Sequence, residues 1–266
     1  MRSSCLALSL APILLAAAAQ AEPPPPRDWE LELMPYGWVP ALDASVETRN
    51  GREHFDVDMG DVIENLDLAA MGRVTGRWHR FVGVLDVAWS QLEEESAFER
   101  EVLQVHADAR QTMTFVQLLG GYRLYARPGG LFGTATAGDE RVFGLDALAG
   151  VNYTYLSASL ELDPSPIGRF PGNQRNFGGN SDWFAPAVGL RVQNDFTSRL
   201  QLETLASVGG FGVGDAPDFS WMVTTLLSYR FTDHWVAALG HRTIAADNDD
   251  NEIRMHGPMI GIGYRF

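Results

Sequence analysis

Charged side chains recur at every second position inside otherwise apolar stretches of this chain, and they are its most promising chemical groups. In a β-strand, successive side chains point to opposite faces, so these charges would share one face while apolar residues cover the other. Arginines and carboxylates are mixed. A surface built from them can pair its own charges or, where arginine is in excess, attract anions. The candidate positions are Glu32, Asp67, Arg73, Arg77, Asp86, Arg123, Asp146, Arg191, Glu203, Arg230, Arg242 and Arg265.

Two shorter spacings place titratable groups on one strand face. His106-Ala107-Asp108 pairs a base with an acid, and Asp56-Val57-Asp58 pairs two acids. Acid–base or nucleophilic catalysis needs further partners held in reach of such groups. The sequence contains no G-x-S-x-G, H-E-x-x-H or P-loop pattern. Solvated strand or loop residues are the favoured interpretation, and no catalytic residue is assigned.

Metal and phosphate sites are also unsupported by local patterns. The acidic stretch 247–252 is rich in oxygen ligands but lacks the glycine and the ligand spacing of an EF-hand loop. The glycine-rich stretch 209–214 follows a predicted strand and leads into no helix, so a flexible connection is expected rather than a nucleotide site. The sequence therefore predicts no metal and no cofactor.

The last stretch of the chain, residues 255–266, gives the clearest strand signal. One face is continuously apolar and ends in aromatic residues, while the other is mostly small or charged. This pattern is typical of a transmembrane β-barrel strand, with lipid outside and a polar lumen inside. The apolar face contains Pro258, Ile260, Ile262, Tyr264 and Phe266.

The same alternation recurs along the chain from Trp29 and predicts ten strands, with eight or twelve also open. Short turns at His79-Arg80, Asn194-Asp195 and 232–234 would lie at one end, and longer loops, including 160–181 and a charged loop from about Glu93, mostly at the other. The first loop, residues 41–66, carries a tight-turn signal at Asn50-Gly51 and a short helix near its end. The predicted fold is all-β: a closed antiparallel transmembrane β-barrel of about ten strands, with a short helix in the first loop.

The N-terminus predicts export. Arg2 precedes an apolar run, and Ala19-Gln20-Ala21 is typical of a cleavage site, so residues 1–21 are interpreted as a signal peptide rather than a retained anchor. A proline-rich linker, residues 22–28, would lead into a barrel over residues 29–266. Cys5 is the only cysteine, and the net charge of −14 argues against nucleic acid as a partner.

Several segments resemble known outer-membrane proteins. The terminal Gly-Tyr-Arg-Phe, with apolar residues at every second position before it, resembles the C-terminal signature of bacterial outer-membrane barrels. Pro35-Tyr36-Gly37-Trp38, the segment 61–67, the segment 208–214 and Ser228-Tyr229-Arg230-Phe231 are similar to a group of largely uncharacterised proteobacterial outer-membrane proteins. The resemblance implies a location in the bacterial outer membrane, with outer-membrane lipid, lipopolysaccharide and the barrel-assembly machinery as partners. The implied membrane-insertion signal is Ile260, Ile262, Tyr264 and Phe266.

Three functional classes follow from these patterns. The first is a non-enzymatic outer-membrane barrel, either structural or a narrow passive channel for small polar or anionic solutes. The second is an outer-membrane enzyme that modifies lipids or peptides, which would need a histidine such as His106 beside an acid at the outer rim. The third is a soluble periplasmic barrel that binds an apolar ligand, which would reverse the predicted inner and outer faces.

Overall fold

A computed structural model describes residues 29–48, 51–64, 66–100, 103–131, 141–166, 175–248 and 251–266. The predicted signal peptide and linker, and the Ala-Gln-Ala cleavage site, lie outside these residues. Twelve strands and one short helix make up the described chain. They are β1 Trp29–Trp38, β2 Ala41–Thr48, β3 Gly51–Val57, α1 Met59–Glu64, β4 Leu66–Trp78, β5 Phe81–Arg100, β6 Leu103–Pro128, β7 Val142–Pro166, β8 Arg175–Asp195, β9 Leu200–Gly210, β10 Phe219–Arg230, β11 Trp235–Asn248 and β12 Asn251–Arg265.

Ten of these strands close into a barrel. β1 and β4 to β12 pair antiparallel with their neighbours in chain order, and β1 pairs with β12 to complete the circle, with Leu33 opposite Tyr264. The Phe266 amide donates to the Leu31 carbonyl over 2.9 Å, so the last residue is fixed at the seam. The predicted closed antiparallel barrel of about ten strands is confirmed.

The first loop forms a hairpin beside the barrel. After Val39 and Pro40, β2 continues along the line of β1 and pairs with β12, with Ala41 opposite His256. β3 pairs with β2 and lies outside the closed barrel, and α1 then leads to β4. The helix and the strand pieces around Asn50-Gly51 therefore agree with the predicted first loop. No helix in the described part of the chain is long and apolar enough to cross a membrane.

Four strands are much longer than predicted. β5, β6, β7 and β8 contain 20 to 26 residues, whereas a strand needs only about 9–11 residues to cross a bilayer. The predicted charged loop after Glu93 and most of the predicted loop 160–181 are instead paired strand. The extension of β5 begins with three consecutive glutamates and carries no apolar alternation. Residues 103–110 of β6 do alternate apolar and polar side chains, and the prediction of a loop there missed this signal. The continuity of the β5 extension depends on its backbone pairing with β6, which sequence periodicity does not report.

The barrel has an apolar outer wall. On β6, Leu118 is 54% exposed and its neighbour Leu119 is 1% exposed, because consecutive side chains point out of and into the barrel. Leu227 and Ile262 are also exposed on the outer face. A membrane barrel requires apolar side chains there, whereas a soluble ligand-binding barrel would have them inside. The end of the barrel with the short turns is called the turn end. There the ring centroids of Trp235 and Tyr264 lie 5.1 Å apart. The opposite end, where β5 to β8 extend, is the hairpin end.

The interior contains an apolar cluster as well as charge. Its large buried side chains include Phe115, Leu119, Leu148, Leu205 and Leu226. Trp38 and several methionines belong to the same cluster, which occupies inward positions on most strands of the barrel. The lumen is thus packed by side chains, as expected for a barrel of this strand number.

Candidate functional site in the barrel lumen

Seven of the predicted charged residues are buried together inside the barrel. Asp146 and Arg242 are completely inaccessible to solvent, with 0% exposure, although both are charged. Each of the seven residues lies on the inward face of its strand, opposite an outward apolar face. The seven residues are Arg73, Asp86, Arg123, Asp146, Arg191, Glu203 and Arg242.

Arg242 on β11 is the centre of one half of this network. Its Nη2 donates to Asp86 Oδ2 over 2.6 Å, and its Nη1 donates to Tyr36 Oη over 2.8 Å. The Tyr36 hydroxyl donates in turn to Asp86 Oδ1 over 2.6 Å. Arg242 Nε donates to Thr224 Oγ1 over 3.1 Å. β1, β5, β10 and β11 are therefore tied together around one guanidinium.

The other half runs through β6, β7, β8 and β9. Arg123 Nε donates to Asp146 Oδ1 over 2.7 Å, and Arg191 Nη1 donates to Asp146 Oδ2 over 2.7 Å. Arg191 also donates from Nε to Glu203 Oε2 over 2.8 Å. Asp146 is thus held between two arginines, and Arg191 between two carboxylates.

Arg73 on β4 joins the two halves. Its Nη2 lies 3.0 Å from Glu203 Oε1 and its Nε lies 3.9 Å from Asp86 Oδ2. These are ion-pair contacts without the alignment of a hydrogen bond, since both nitrogens lack a hydrogen-bond partner in the described structure. The network therefore runs without interruption from Arg242 to Arg123 around the inner wall.

The buried network contains four arginines and three carboxylates, so its formal charge is positive by one. Burying charges is costly, and it is tolerated only where partners and hydrogen bonds replace water. Nearly every buried charge here has such partners. The arrangement can therefore hold the wall rigid and fill the lumen, and its excess of arginine would favour an anion in any remaining space.

The remaining predicted lumenal charges lie nearer the barrel ends. At the turn end, Arg265 pairs with Glu32 over 2.6 Å and Arg77 with Glu30 over 2.7 Å, all partly exposed. Arg230 is partly buried near the same end. Asp67 is exposed at the hairpin end of β4 and does not join the buried network.

The predicted list was restricted to charged residues and omits two neutral members of the network, Tyr36 and Thr224. Gln117 is also buried and forms separate hydrogen bonds, its Nε2 donating to Asn152 Oδ1 over 3.0 Å and to Ser207 Oγ over 3.2 Å. The strand parity of these three residues matched that of the predicted charges, so counting in twos from Glu32 would have placed Tyr36 inside. Selecting only charged residues left them out.

The residues considered for catalysis are only partly described. His106, Asp108 and Asp56 lie in strands, but their side chains fall outside the described part of the structure, and Asp58 is exposed. A histidine and a carboxylate do meet on the outer face, where His256 Nδ1 lies 3.7 Å from Asp43 Oδ2. The described residues hold no group of three histidines or carboxylates able to ligate a metal.

The predicted membrane-insertion residues lie on the outer wall of β12. Ile260, Ile262 and Phe266 are exposed. Tyr264 is partly exposed, and its ring lies 4.8 Å from that of Phe266. Together they form an apolar strip that ends in aromatic rings at the turn end.

Comparisons with known proteins support the fold but assign no family. No protein-family model matches the chain, and no curated protein matches it. Among solved structures, the outer membrane protease OmpT from Escherichia coli aligns with a TM-score of 0.52 at 11% identity, covering 90% of this chain and 97% of that one. The translocator domain of autotransporter NalP from Neisseria meningitidis aligns with a TM-score of 0.43 at 15% identity, covering 91% and 90%. The chain therefore has the fold of small outer-membrane β-barrels, without a sequence-level family.

Proposed function

We propose that this protein is an integral outer-membrane barrel whose lumen is closed by its own side chains. Its role would be structural: the barrel anchors the long β5 to β8 extensions at the cell surface. The observation that carries this proposal is the continuous buried network from Arg242 to Arg123, packed against the apolar cluster. A lumen filled in this way supports a rigid anchor better than an open pore.

The outer wall supports the proposed location. Exposed leucine, isoleucine and valine side chains cover the middle of the strands, and aromatic rings gather at the turn end. This distribution fits a lipid-facing band with an aromatic girdle. The turn end would face the periplasm and the hairpin end the medium. Lipopolysaccharide would then surround the hairpin end, and the assembly machinery would recognise the strip ending at Phe266.

Planar-bilayer recording of the purified protein tests the closed lumen. We expect no channel events in potassium chloride over a range of concentrations and voltages. A double variant, Asp146→Ala with Arg191→Ala, removes two facing side chains from the network and serves as the opened comparison. Steady conductance by the unaltered protein would overturn the closed-lumen proposal.

A narrow anion channel is the second candidate, favoured by the excess of one positive charge in the buried network. In that case the unaltered protein conducts, and its reversal potential in a salt gradient indicates chloride selectivity. Arg191→Gln, which removes one of those charges, would then reduce the selectivity. No catalytic step is part of either proposal.

A further inference from the structure

Within the described residues, β1 and β4 pair over only part of their length, and the pairing stops short on the hairpin side. Pairing of these strands ends where Pro35 lies opposite Gly72, although β1 continues to Trp38 along β12. Proline has no amide hydrogen to donate to a ladder. Beyond this point the chain leaves along β2, while residues 66–71 of β4 pair with β5 alone among the described strands. This opening is called the β1–β4 gap.

Both faces of β4 are accessible at the gap. Asp67, Leu68, Ala69 and Ala70 are all exposed, although consecutive residues of a strand point to opposite faces. Ala69 shares its face with Met71, which packs against the interior cluster, so its exposure is on the lumenal side. This part of β4 is therefore accessible from both its outer and its lumenal side.

The backbone at the gap requires hydrogen-bond partners. In an antiparallel ladder every second residue directs its N–H and C=O toward a given neighbour, so alternate residues of 66–71 direct these groups into the gap. Such groups are strongly unfavourable when they face lipid without a partner. Water or an occupant that can form hydrogen bonds must therefore be present, and a purely hydrocarbon seal would be unfavourable.

A buried donor without a partner lies on the interior side. Trp38 is 4% exposed, and its Nε1 has no hydrogen-bond partner in the described structure. A buried indole N–H normally finds an acceptor. Trp38 is the last residue of β1, the strand that borders the gap, and its ring centroid lies 5.5 Å from Arg242 Cζ.

Six methionines belong to the interior cluster that contains Trp38 or pack against it. They are flexible and polarizable, and they adapt to ligands of different shape. Met34 precedes the end of the β1–β4 ladder on one strand and Met71 follows it on the other. The inward or partly buried methionines of the cluster are Met34, Met71, Met113, Met222, Met255 and Met259.

An apolar surface lies at the hairpin end of the gap. Helix α1 precedes β4 in the chain, and its Met59 and Ile63 are exposed. These residues are four apart, so they share one face of the helix. With exposed Leu68, they give an apolar molecule a contact surface outside the gap.

We propose that the β1–β4 gap is the entrance to a binding site for a small apolar molecule that carries one hydrogen-bond acceptor. The molecule enters from the outer leaflet and displaces methionine side chains. It accepts a hydrogen bond from Trp38 Nε1. The closed network around Arg242 separates this site from the turn end, so the molecule is retained and not conducted. This inference goes beyond the structural role, and its readout is independent of conductance.

Photolabelling with benzophenone tests the site, because this apolar ketone has one acceptor and reacts with nearby C–H bonds on irradiation. The protein is embedded in phosphatidylcholine nanodiscs, labelled, and mapped by peptide mass spectrometry. We expect labelling at the interior methionines near Trp38. Ala69→Trp should reduce it at least fivefold by filling the lumenal side of the gap. Ala70→Trp, the same change one residue away on the outer face, should leave it unchanged.

The hydrogen bond is tested separately with Trp38→Phe, which keeps an aromatic ring and removes the N–H. Half-maximal labelling of this variant should require about fivefold more benzophenone, as expected for one net hydrogen bond. Diphenylmethane, which has the same rings but no acceptor, should inhibit the labelling of both proteins with equal inhibition constants. An unchanged benzophenone concentration for half-maximal labelling of Trp38→Phe would overturn the role of Trp38.

The entrance has its own control. If Ala69→Trp does not fold, as judged by heat-modified gel mobility, Ala69→Met is used. Labels confined to the outer wall, or equal effects of the variants at positions 69 and 70, would overturn the entrance.

Discussion

Arg242 on β11 and Asp86 on β5 meet across the lumen, with Arg242 Nη2 donating to Asp86 Oδ2 over 2.6 Å. The two residues are 156 positions apart in the chain. Strands β5 and β11 are separated by several other strands in either direction around the barrel. This bond therefore joins opposite parts of the wall directly, and its strength should be measurable.

Asp86→Asn tests the buried network. The change removes the negative charge that Arg242 and Arg73 share, so the free energy of unfolding should fall by about 3–5 kcal/mol. Glu30→Gln is the matched control, because it breaks the partly exposed pair with Arg77 and should cost at most about 1 kcal/mol. Urea unfolding in lipid vesicles gives both values. Equal losses for the two variants would mean that the network does not stabilise the barrel.

Leu239→Arg tests the lipid-facing wall. Leu239 is 60% exposed near the middle of the outer face, and a lipid-facing arginine at the bilayer midplane costs about 2–4 kcal/mol. Leu131→Arg makes the same change at a residue 42% exposed in the turn after β6, outside the apolar band, and should be nearly neutral. The folding equilibrium in vesicles reports both. A neutral Leu239→Arg would argue against a membrane position for this face.

Gly121→Ala tests close packing between β6 and β7. A Cβ on Gly121 would overlap the carbonyl oxygen of Ala147, a backbone atom that cannot move aside cheaply. A Cβ on the preceding residue, Gly120, would have no atom within 4 Å. Folding yield should therefore drop sharply for Gly121→Ala and remain unchanged for Gly120→Ala. Equal yields would indicate that these strands separate more easily than their pairing suggests.

Glu93 and Arg110 predict a pH dependence at the hairpin end. Hydrogen bonds from Arg110 and then Gln91 hold the pKa of the Glu93 carboxyl below its usual value. A carboxyl whose pKa is lowered by folding stabilises the folded form above its unfolded pKa, about 4.3, and loses that contribution as the pH falls through the folded value. NMR titration of Glu93 should therefore give a higher pKa in Arg110→Gln than in the unaltered protein. An unchanged value would mean that this exposed pair does not persist in solution.

Strand periodicity accounts for much of the fold. The alternation of Leu118 and Tyr122 with Gln117 and Arg123 identified the two faces of β6. The same count placed Arg73, Asp86 and Arg242 inside. Periodicity failed for the outer part of β5, where Glu93, Glu94 and Glu95 are consecutive and so place charge on both faces of the strand. Tyr36 has the same parity as Glu32, but it was left out because only charged residues were selected.

The sequence by itself determined the parity of each strand, because apolar side chains must cover one face and polar groups the other wherever the two environments differ. Only the tertiary structure decided which charges meet. Closing the barrel brings Arg242 to Asp86 and Arg191 to both Asp146 and Glu203, and these pairings depend on the register and curvature of the whole sheet. The β1–β4 gap was likewise decided by tertiary structure. The sequence shows only that Pro35 lacks an amide hydrogen. The strands separate beyond Pro35 because the chain continues along β2, which pairs with β12.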